Sequence, residues 1–473
     1  MASPMSVSAI PSPPPLHHPV AAPWSRHLRE TLAVGLPLAA TQLTQVAIGV
    51  TDTVMVGWLG AEPLAALTLA TQSWFMVFMF GGGFAHAVLP LAASARGAND
   101  VRGVRRSVRM GLWVLALYSI VALALLSQTE RFLLAIGQDP QAASDARIYI
   151  AIAMWALLPA LGIMGLRSFL VAIGKAHVVL WATMAMALAN AALNWVLIFG
   201  HLGFPALGIQ GAALATVGCN IVGFGVLAAY CATQTQARTY ELFVRFWRPD
   251  WPAFFEVVRL GWPIGATIIA EVALFYAASL MMGWIGVIQL AAHGIALQIA
   301  SVTFMIPLGL ANAATMRVGL ALGSGDTVNL ARAAVTVQVL SAIIAGAAAI
   351  TFWLFPETLI GLFLDAGNAN TDAVLAAGVP LLEMAAAFQL VDALQAVGSG
   401  LLRGLKDTRM PMIIAIIAYW GIGLPAGYLL AFTANYGGPG IWAGLALGLA
   451  GAAVMMNWRF ARRQSLGLVP QIS

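Results

Sequence analysis

Four carboxylates stand inside otherwise apolar runs: Asp52, Glu271, Glu383 and Asp392. An ionised carboxylate in hydrocarbon costs about 2.5–3.5 kcal/mol even on the lenient cell-insertion scale, so each one needs a reason. No lysine or arginine lies comparably deep in the sequence, since Arg167 and Arg403 fall at the ends of their runs. Acids without basic neighbours must be protonated, hydrated or matched by a mobile cation. The expected chemistry is therefore reversible binding of protons, metal cations or organic cations, one exchanged for another. The plain alternative is a single buried acid held by hydrogen bonds in a structural role.

Each acid has a setting. Thr41, Gln45 and Asp52 fall within about 40° of one another on a helix, a polar stripe expected to face the interior of its bundle. Asn190 and Asn194 are four apart on one face of ANAALNWVLIFG, and amides in hydrocarbon need a partner such as a carboxylate. Glu271 has Thr267 one turn before it, and Asp392 lies among Gln389, Gln395 and Ser399. Glu383 sits nearer its run's outer end on the face opposite Asp392, where a structural or vestibule role fits as well. His86 and His293 read as packing residues, and Cys219 and Cys231 as small hydrophobes without a disulfide or metal role. Scattered Trp and Met mark interfaces and packing, with some lining any drug pocket.

The elements that hold these acids are membrane helices. The chain has 473 residues, 61% hydrophobic and only 9% charged, against about 25% charged in a soluble domain. Runs long enough to span a bilayer fall near 32–58, 65–88, 109–127, 148–170, 178–199 and 208–231, then near 257–284, 290–312, 333–355, 373–401, 412–433 and 440–458. With the N-terminus inside, 21 of the 23 Lys and Arg fall on the cytoplasmic side and only Arg131 and Arg147 outside, as the positive-inside rule requires. The net charge of +5 therefore calls for no nucleic acid. The proline-rich residues 1–27, with His17 and His18, lack a signal-peptide layout and read as a disordered cytoplasmic tail. Residues 232–256 form a cytoplasmic connector between lobes 28–231 and 257–460, and 461–473 a cytoplasmic C-terminal tail.

The two lobes are copies. Shifted by 226 residues, segment 35–72 overlays 261–298 without a gap and 15 of 38 positions are identical, among them Pro37/Pro263, Met55/Met281, Gly57–Trp58/Gly283–Trp284 and Gln72/Gln298. RGAND (96–100) then meets LGSGD (322–326). Glu271 occupies the repeat position of Gln45, and Asp52 faces Ala278. Six spans per copy keep the topology parallel. The expected fold is an all-α polytopic membrane protein of twelve transmembrane helices, in two six-helix lobes related by a pseudo-two-fold along the membrane normal. No GxxxxGK[ST] motif is present, so energy must come from an ion gradient, a partner or nowhere.

VTDTVMVGWLG, ANAALNWVLIFG, GIQGAALAT, the AEV of the seventh helix and VDALQAVGSGLLRGLKDTRMP resemble the multidrug and toxic compound extrusion (MATE) family, in its bacterial NorM-like branch. The resemblance runs over about residues 28–460. It implies a secondary antiporter, not an enzyme, in a bacterial inner membrane with both termini cytoplasmic. Cationic, often aromatic amphiphilic drugs would leave as H+ or Na+ enters, by rocking between two V-shaped states, with no cofactor beyond the coupling ion. It assigns Asp52, Asn190 and Asn194 to the cation-linked site of the first lobe, and Glu271 and Asp392 to cation coupling and substrate contact in the second. Gln45 and Gln389 are further substrate-contact candidates, and Glu271 and Asp392 would ligate a sodium ion. Phe388 departs from some sodium-coupled relatives that carry tyrosine there, which removes one oxygen ligand for sodium and leaves protons viable, the choice between H+ and Na+ staying open. A monomer in the lipid bilayer is expected. A flippase for an anionic lipid-linked precursor would need buried arginines, which the sequence does not show. A non-transporting receptor or scaffold would explain neither the duplication nor the acids.

Overall fold

The computed structural model describes residues 22–364 and 370–469. Most of the expected N-terminal tail, including His17 and His18, and the last four residues lie outside the described residues. The first lobe holds α1 (Trp24–Gly57), α2 (Ala61–Gly97), α3 (Val101–Leu126), α4 (Pro140–Ala172), α5 (Ala176–Phe199) and α6 (Gly208–Thr233). The second holds α7 (Trp251–Ile285), α8 (Val287–Gly323), α9 (Thr327–Leu354), α10 (Thr371–Gly404), α11 (Arg409–Thr433) and α12 (Gly437–Ala461). These twelve, among the described residues, are long and apolar enough to cross a membrane, and there is no strand.

Three boundaries differ from the sequence reading. α1 begins at Trp24, so residues 24–27 are its first turn rather than tail. α7 begins at Trp251 inside the expected connector, capped by Asp250 on the Ala253 N–H (3.3 Å). Residues 462–469 fold back as turns, and Val469 is buried in the second lobe's core. The remaining connector is strapped onto α3: Arg105 Nε donates to the Tyr240 carbonyl (2.8 Å) and Trp113 Nε1 to that of Phe246 (3.0 Å). Arg106 pairs with Asp250 and holds its carboxyl below the usual carboxylate range.

The duplication seen in sequence reappears in hydrogen bonds. Asn99 and Gly325 both take positive φ (55° and 71°), and the following Asp100 and Asp326 cap α3 and α9 through the N–H of Gly103 (2.8 Å) and Asn329 (2.9 Å). Pro37 and Pro263 each interrupt a helix ladder, and one turn later Thr41 and Thr267 donate back to the proline carbonyls at 2.7 and 2.8 Å. Two helices depart from regular geometry. A 3₁₀ turn at Met154–Ala156 precedes Pro159, which has no N–H to return to Trp155. In α11, Ile417–Gly423 and Leu429–Thr433 are π-helical, with the Ala434 N–H reaching back five residues to Leu429.

The lobes meet through α1 and α2 against α7 and α8. Small residues set the closest approaches, and they come in pairs related by the 226-residue repeat. A Cβ on Gly97 would collide with the Leu320 carbonyl, and one on Gly323 with the Ser94 carbonyl. Gly83 abuts Gly265 while Gly309 abuts Ala39, and Gly35 meets Leu310 while Gly261 meets Phe84. Gly319 faces its own repeat equivalent Ala93 at 3.1 Å, on the pseudo-two-fold axis. All of these lie in the helix halves nearer the chain termini. Beyond Thr41, α1 becomes exposed at Leu43, Gln45, Gly49 and Val50, and a Cβ on Gly49 would meet nothing within 4 Å. The two lobes form a V, shut at the terminus-bearing end and open at the other.

Backbone against backbone leaves no room for a side chain, and overpacking costs about 1–3 kcal/mol. Gly323→Val is therefore expected to shift the equilibrium away from the shut state by roughly 5- to 150-fold. Thiol labelling of an Ala93→Cys reporter beside the axis should rise accordingly, and an unchanged rate would contradict the arrangement.

Candidate cation and substrate sites

Asp52 projects from the open half of α1 towards α5. Asn194 Nδ2 donates to its Oδ1 at 2.5 Å and lies 3.4 Å from Asn190 Oδ1, so the two amides form a short chain ending on the carboxylate. Both asparagines are buried, and Asn194 Oδ1 has no hydrogen-bond partner among the described residues. Two groups not singled out from the sequence complete the setting. Tyr149 from α4 is buried and lies within electrostatic reach of Asp52, close to Thr216 on α6. Cys219, also on α6, lies within electrostatic reach of Asp52 and donates to the Met186 carbonyl (3.2 Å).

The expected stripe on α1 is only partly enclosed. Thr41 is fully buried, but Gln45 is exposed because the lobes part just beyond Thr41. Gln45 is not brought to either group of acids.

The second lobe holds a different arrangement. Glu271 on α7 and Asp392 on α10 act on each other electrostatically, and Tyr419 on the π-helical turn of α11 feels both. Gln389, one turn before Asp392's face, is fully buried with neither amide atom paired among the described residues. Asp392 Oδ1 and the Tyr419 hydroxyl are likewise buried without a partner. Asp392, Glu271 and Tyr419 are thus within electrostatic reach of one another, with Gln389 one turn before Asp392 on α10. Phe388 turns away into an aromatic cluster, edge-on to Trp442 (5.3 Å) and Phe275 (6.0 Å). His293 belongs to that cluster: Trp442 Nε1 donates to its Nδ1 (3.2 Å) and Ser279 Oγ lies 3.1 Å from its Nε2. Glu383 stands apart, its carbonyl accepting from Trp353 Nε1 (3.1 Å). Among the described residues no group of three His, Cys, Asp or Glu side chains is placed to hold a metal ion.

Two expectations about basic residues need correction. Glu271 is not without a cation, because Arg403 acts on it from the same lobe, although the two form no ion pair. A buried arginine also exists: Arg317 is 7% exposed, but both terminal nitrogens of its guanidinium are engaged between the lobes at the shut end. It offers nothing to an anionic lipid in the cleft.

A model of the MatE family matches residues 37–196 and again 263–429, the two starts separated by the same 226 residues. The chain belongs to the MatE family. MatE proteins are transporters, and this one is a multi-pass membrane protein rather than an enzyme. It is 53% identical over 439 residues to a probable multidrug resistance protein NorM of Rhizobium meliloti, covering 93% of this chain and 94% of that one. A NorM relative from Agrobacterium fabrum is 50% identical, covering 92% and 94%. The same MatE fold is seen in the eukaryotic MATE transporter AtDTX14 (TM-score 0.81, 22% identity, 94% of this chain and 100% of that chain). It is seen too in a structure described as the outward-facing conformation of a multidrug resistance MATE family transporter (TM-score 0.83, 19% identity, 94% and 99%).

A hydrogen bond to a charged group contributes about 1.5–3 kcal/mol. Asn194→Ala should therefore slow transport of a fluorescent organic cation by about tenfold or more, while the thermal midpoint of the purified protein moves little. Wild-type transport in a stable Asn194→Ala protein would make the amide–carboxylate pair purely structural.

Proposed function

We propose that this transporter exports cationic, amphiphilic and often aromatic drugs in exchange for protons or sodium ions, by rocking its two lobes. The relatives named as multidrug resistance proteins support the substrate class. The excess of basic residues at the shut end supports a bacterial inner-membrane orientation with cytoplasmic termini. In that orientation the V opens outward, as in the related outward-facing structure.

The observation that carries the coupling is the pairing of Glu271 with Asp392 beside Gln389 and Tyr419. Two carboxylates within electrostatic reach of one another in a low-dielectric lobe favour a cation between them, and the unpaired Asp392 Oδ1, Gln389 Oε1 and Tyr419 hydroxyl are available to accept one. An organic cation and a coupling cation then compete for the same charge. Asp52 supplies a second, separate carboxylate in the other lobe, where binding a proton would break its bond to Asn194 and reorder α1 against α5. Protons fit better than sodium, because a sodium ion wants several oxygen ligands and the tyrosine of sodium-coupled relatives is here the inward-packed Phe388.

The test is transport of a fluorescent organic cation into or out of proteoliposomes under an imposed pH gradient, and separately a sodium gradient. Export driven by the pH gradient is expected, and movement indifferent to both gradients would sink the antiport reading. Asp52→Asn, Glu271→Gln and Asp392→Asn should each cut coupled transport by tenfold or more. Normal transport in all three would overturn the site assignment while leaving antiport intact.

A further inference from the structure

At the terminus-bearing end a cluster of polar contacts crosses between the lobes, centred on one arginine. Arg317 of α8 crosses to the first two turns of α1, where it donates to the His27 carbonyl (2.8 Å), Thr31 Oγ1 (2.5 Å) and the Glu30 carboxylate (2.9 Å). Its Nη2 also lies 2.7 Å from His27 Nδ1. A guanidinium has donors only, so Nδ1 must accept and bear no proton. The single ring proton is then on Nε2, which faces Asn329 Oδ1 of α9 at 3.1 Å. Around this pair, the Ala22 N–H donates to Asn329 Oδ1 (3.0 Å) and Arg332 donates to the Ala22 carbonyl (2.5 Å). Arg332 also lies over the Trp24 ring at 5.3 Å. At the repeat positions stand Leu91 for Arg317 and Ala253 for His27, so the contact exists once.

We propose that Arg317 and His27 are positioning residues of the transport cycle, a proton-sensitive clamp that holds this end shut until His27 is protonated. The proposal rests on the rocking reading given above, and neither residue touches substrate. The charged groups facing His27 are Arg317 from α8, Arg332 from α9, and Glu30 and Arg26 from its own helix, with Asp326 behind Asn329. Glu30 is already shared between Arg26 (2.7 Å) and Arg317 (2.9 Å). A proton on Nδ1 therefore sets a second cation against the guanidinium with no carboxylate left to balance it, and the acceptor that Arg317 needs is gone. Acid on the terminus side opens that side.

The clamp can be read by distance measurement between spin labels on the full chain in lipid nanodiscs. Labels go on Thr233→Cys at the end of α6 and Ala461→Cys at the end of α12, in a background with Cys219→Ala and Cys231→Ala. The short-distance, shut population should dominate at about pH 8 and fall severalfold only below the ordinary histidine midpoint of about 6.5, because the facing guanidinium opposes the second ring proton. His27→Gln keeps an acceptor for Arg317 but does not titrate, so its shut population should lose most of that pH response. Arg317→Ala should lower the shut population at both pH values, with dye affinity changed less than twofold. The membrane acids titrate in all variants alike, so the difference between wild type and His27→Gln isolates the clamp. A His27→Gln curve overlying the wild type, or an Arg317→Ala distribution equal to it, overturns the proposal. Should Arg317→Ala not fold, His27→Gln decides alone. Distances that respond as expected in a protein that moves no dye would retain the clamp and reject the exporter.

Discussion

The arrangement depends on one constraint, the backbone-to-backbone approach of α2 and α8 around the pseudo-two-fold axis. In lipid, helices gain nothing from hiding apolar surface against each other, so association relies on close van der Waals packing. Gly97, Gly323 and the Gly319–Ala93 contact supply it at one end only, flanked by Gly83 against Gly265 of α7 and Gly309 against Ala39 of α1. Once that end is shut, the twist of two long helix pairs forces the other end apart. This is why Gln45 and Gly49 are exposed while Thr41, little more than a turn away, is fully buried. The same geometry assigns each acid to the interior of its own lobe, since the central seam has no room for one.

The two acidic sites are chemically unlike. Asp52 ends a chain of amides, so its charge is stabilised by dipoles that are fixed in place by burial. Glu271 and Asp392 lie within electrostatic reach of one another, with Arg403 acting on Glu271 from the terminus-bearing end of α10. The first arrangement tolerates an ionised carboxylate at rest. The second is unbalanced without a bound cation, and it is the one with unpaired oxygens around it.

Much of this was legible in the sequence because it is local or repeated. Twelve apolar runs, the 226-residue duplication, and the spacing of Asn190 and Asn194 are one-dimensional signals that survive folding. The two-fold contacts even fall at the repeat-related glycines of RGAND and LGSGD. What escaped depends on distances along the third dimension. Tyr149 reaches Asp52 from another helix, and nothing in DARIYIAIA marks it. Tyr419 meets the second-lobe acids from a π-helical turn that helical periodicity misplaces. Arg403 looked peripheral because sequence position fixes its backbone depth but not the reach of its side chain. Gln45 fitted the stripe by angle, yet angle alone does not say where the lobes separate.

The copies keep their hinges and their seam but not their charged residues. Proline, threonine, helix cap and axial glycine are kept in step at 37/263, 41/267, 100/326 and 97/323, so both lobes inherit the same hinge points and the same seam. Against that frame stand Asp52 for Ala278, Glu271 for Gln45 and Arg317 for Leu91. A strictly symmetric pair of lobes would rock without linking its motion to any gradient, since each half would offer the same sites and the same closing contacts. Direction requires that a cation entering one lobe weaken something the other lobe does not have. On the proposed antiport reading, the duplication accounts for the movement, and the unmatched acids and Arg317 for what the movement is tied to.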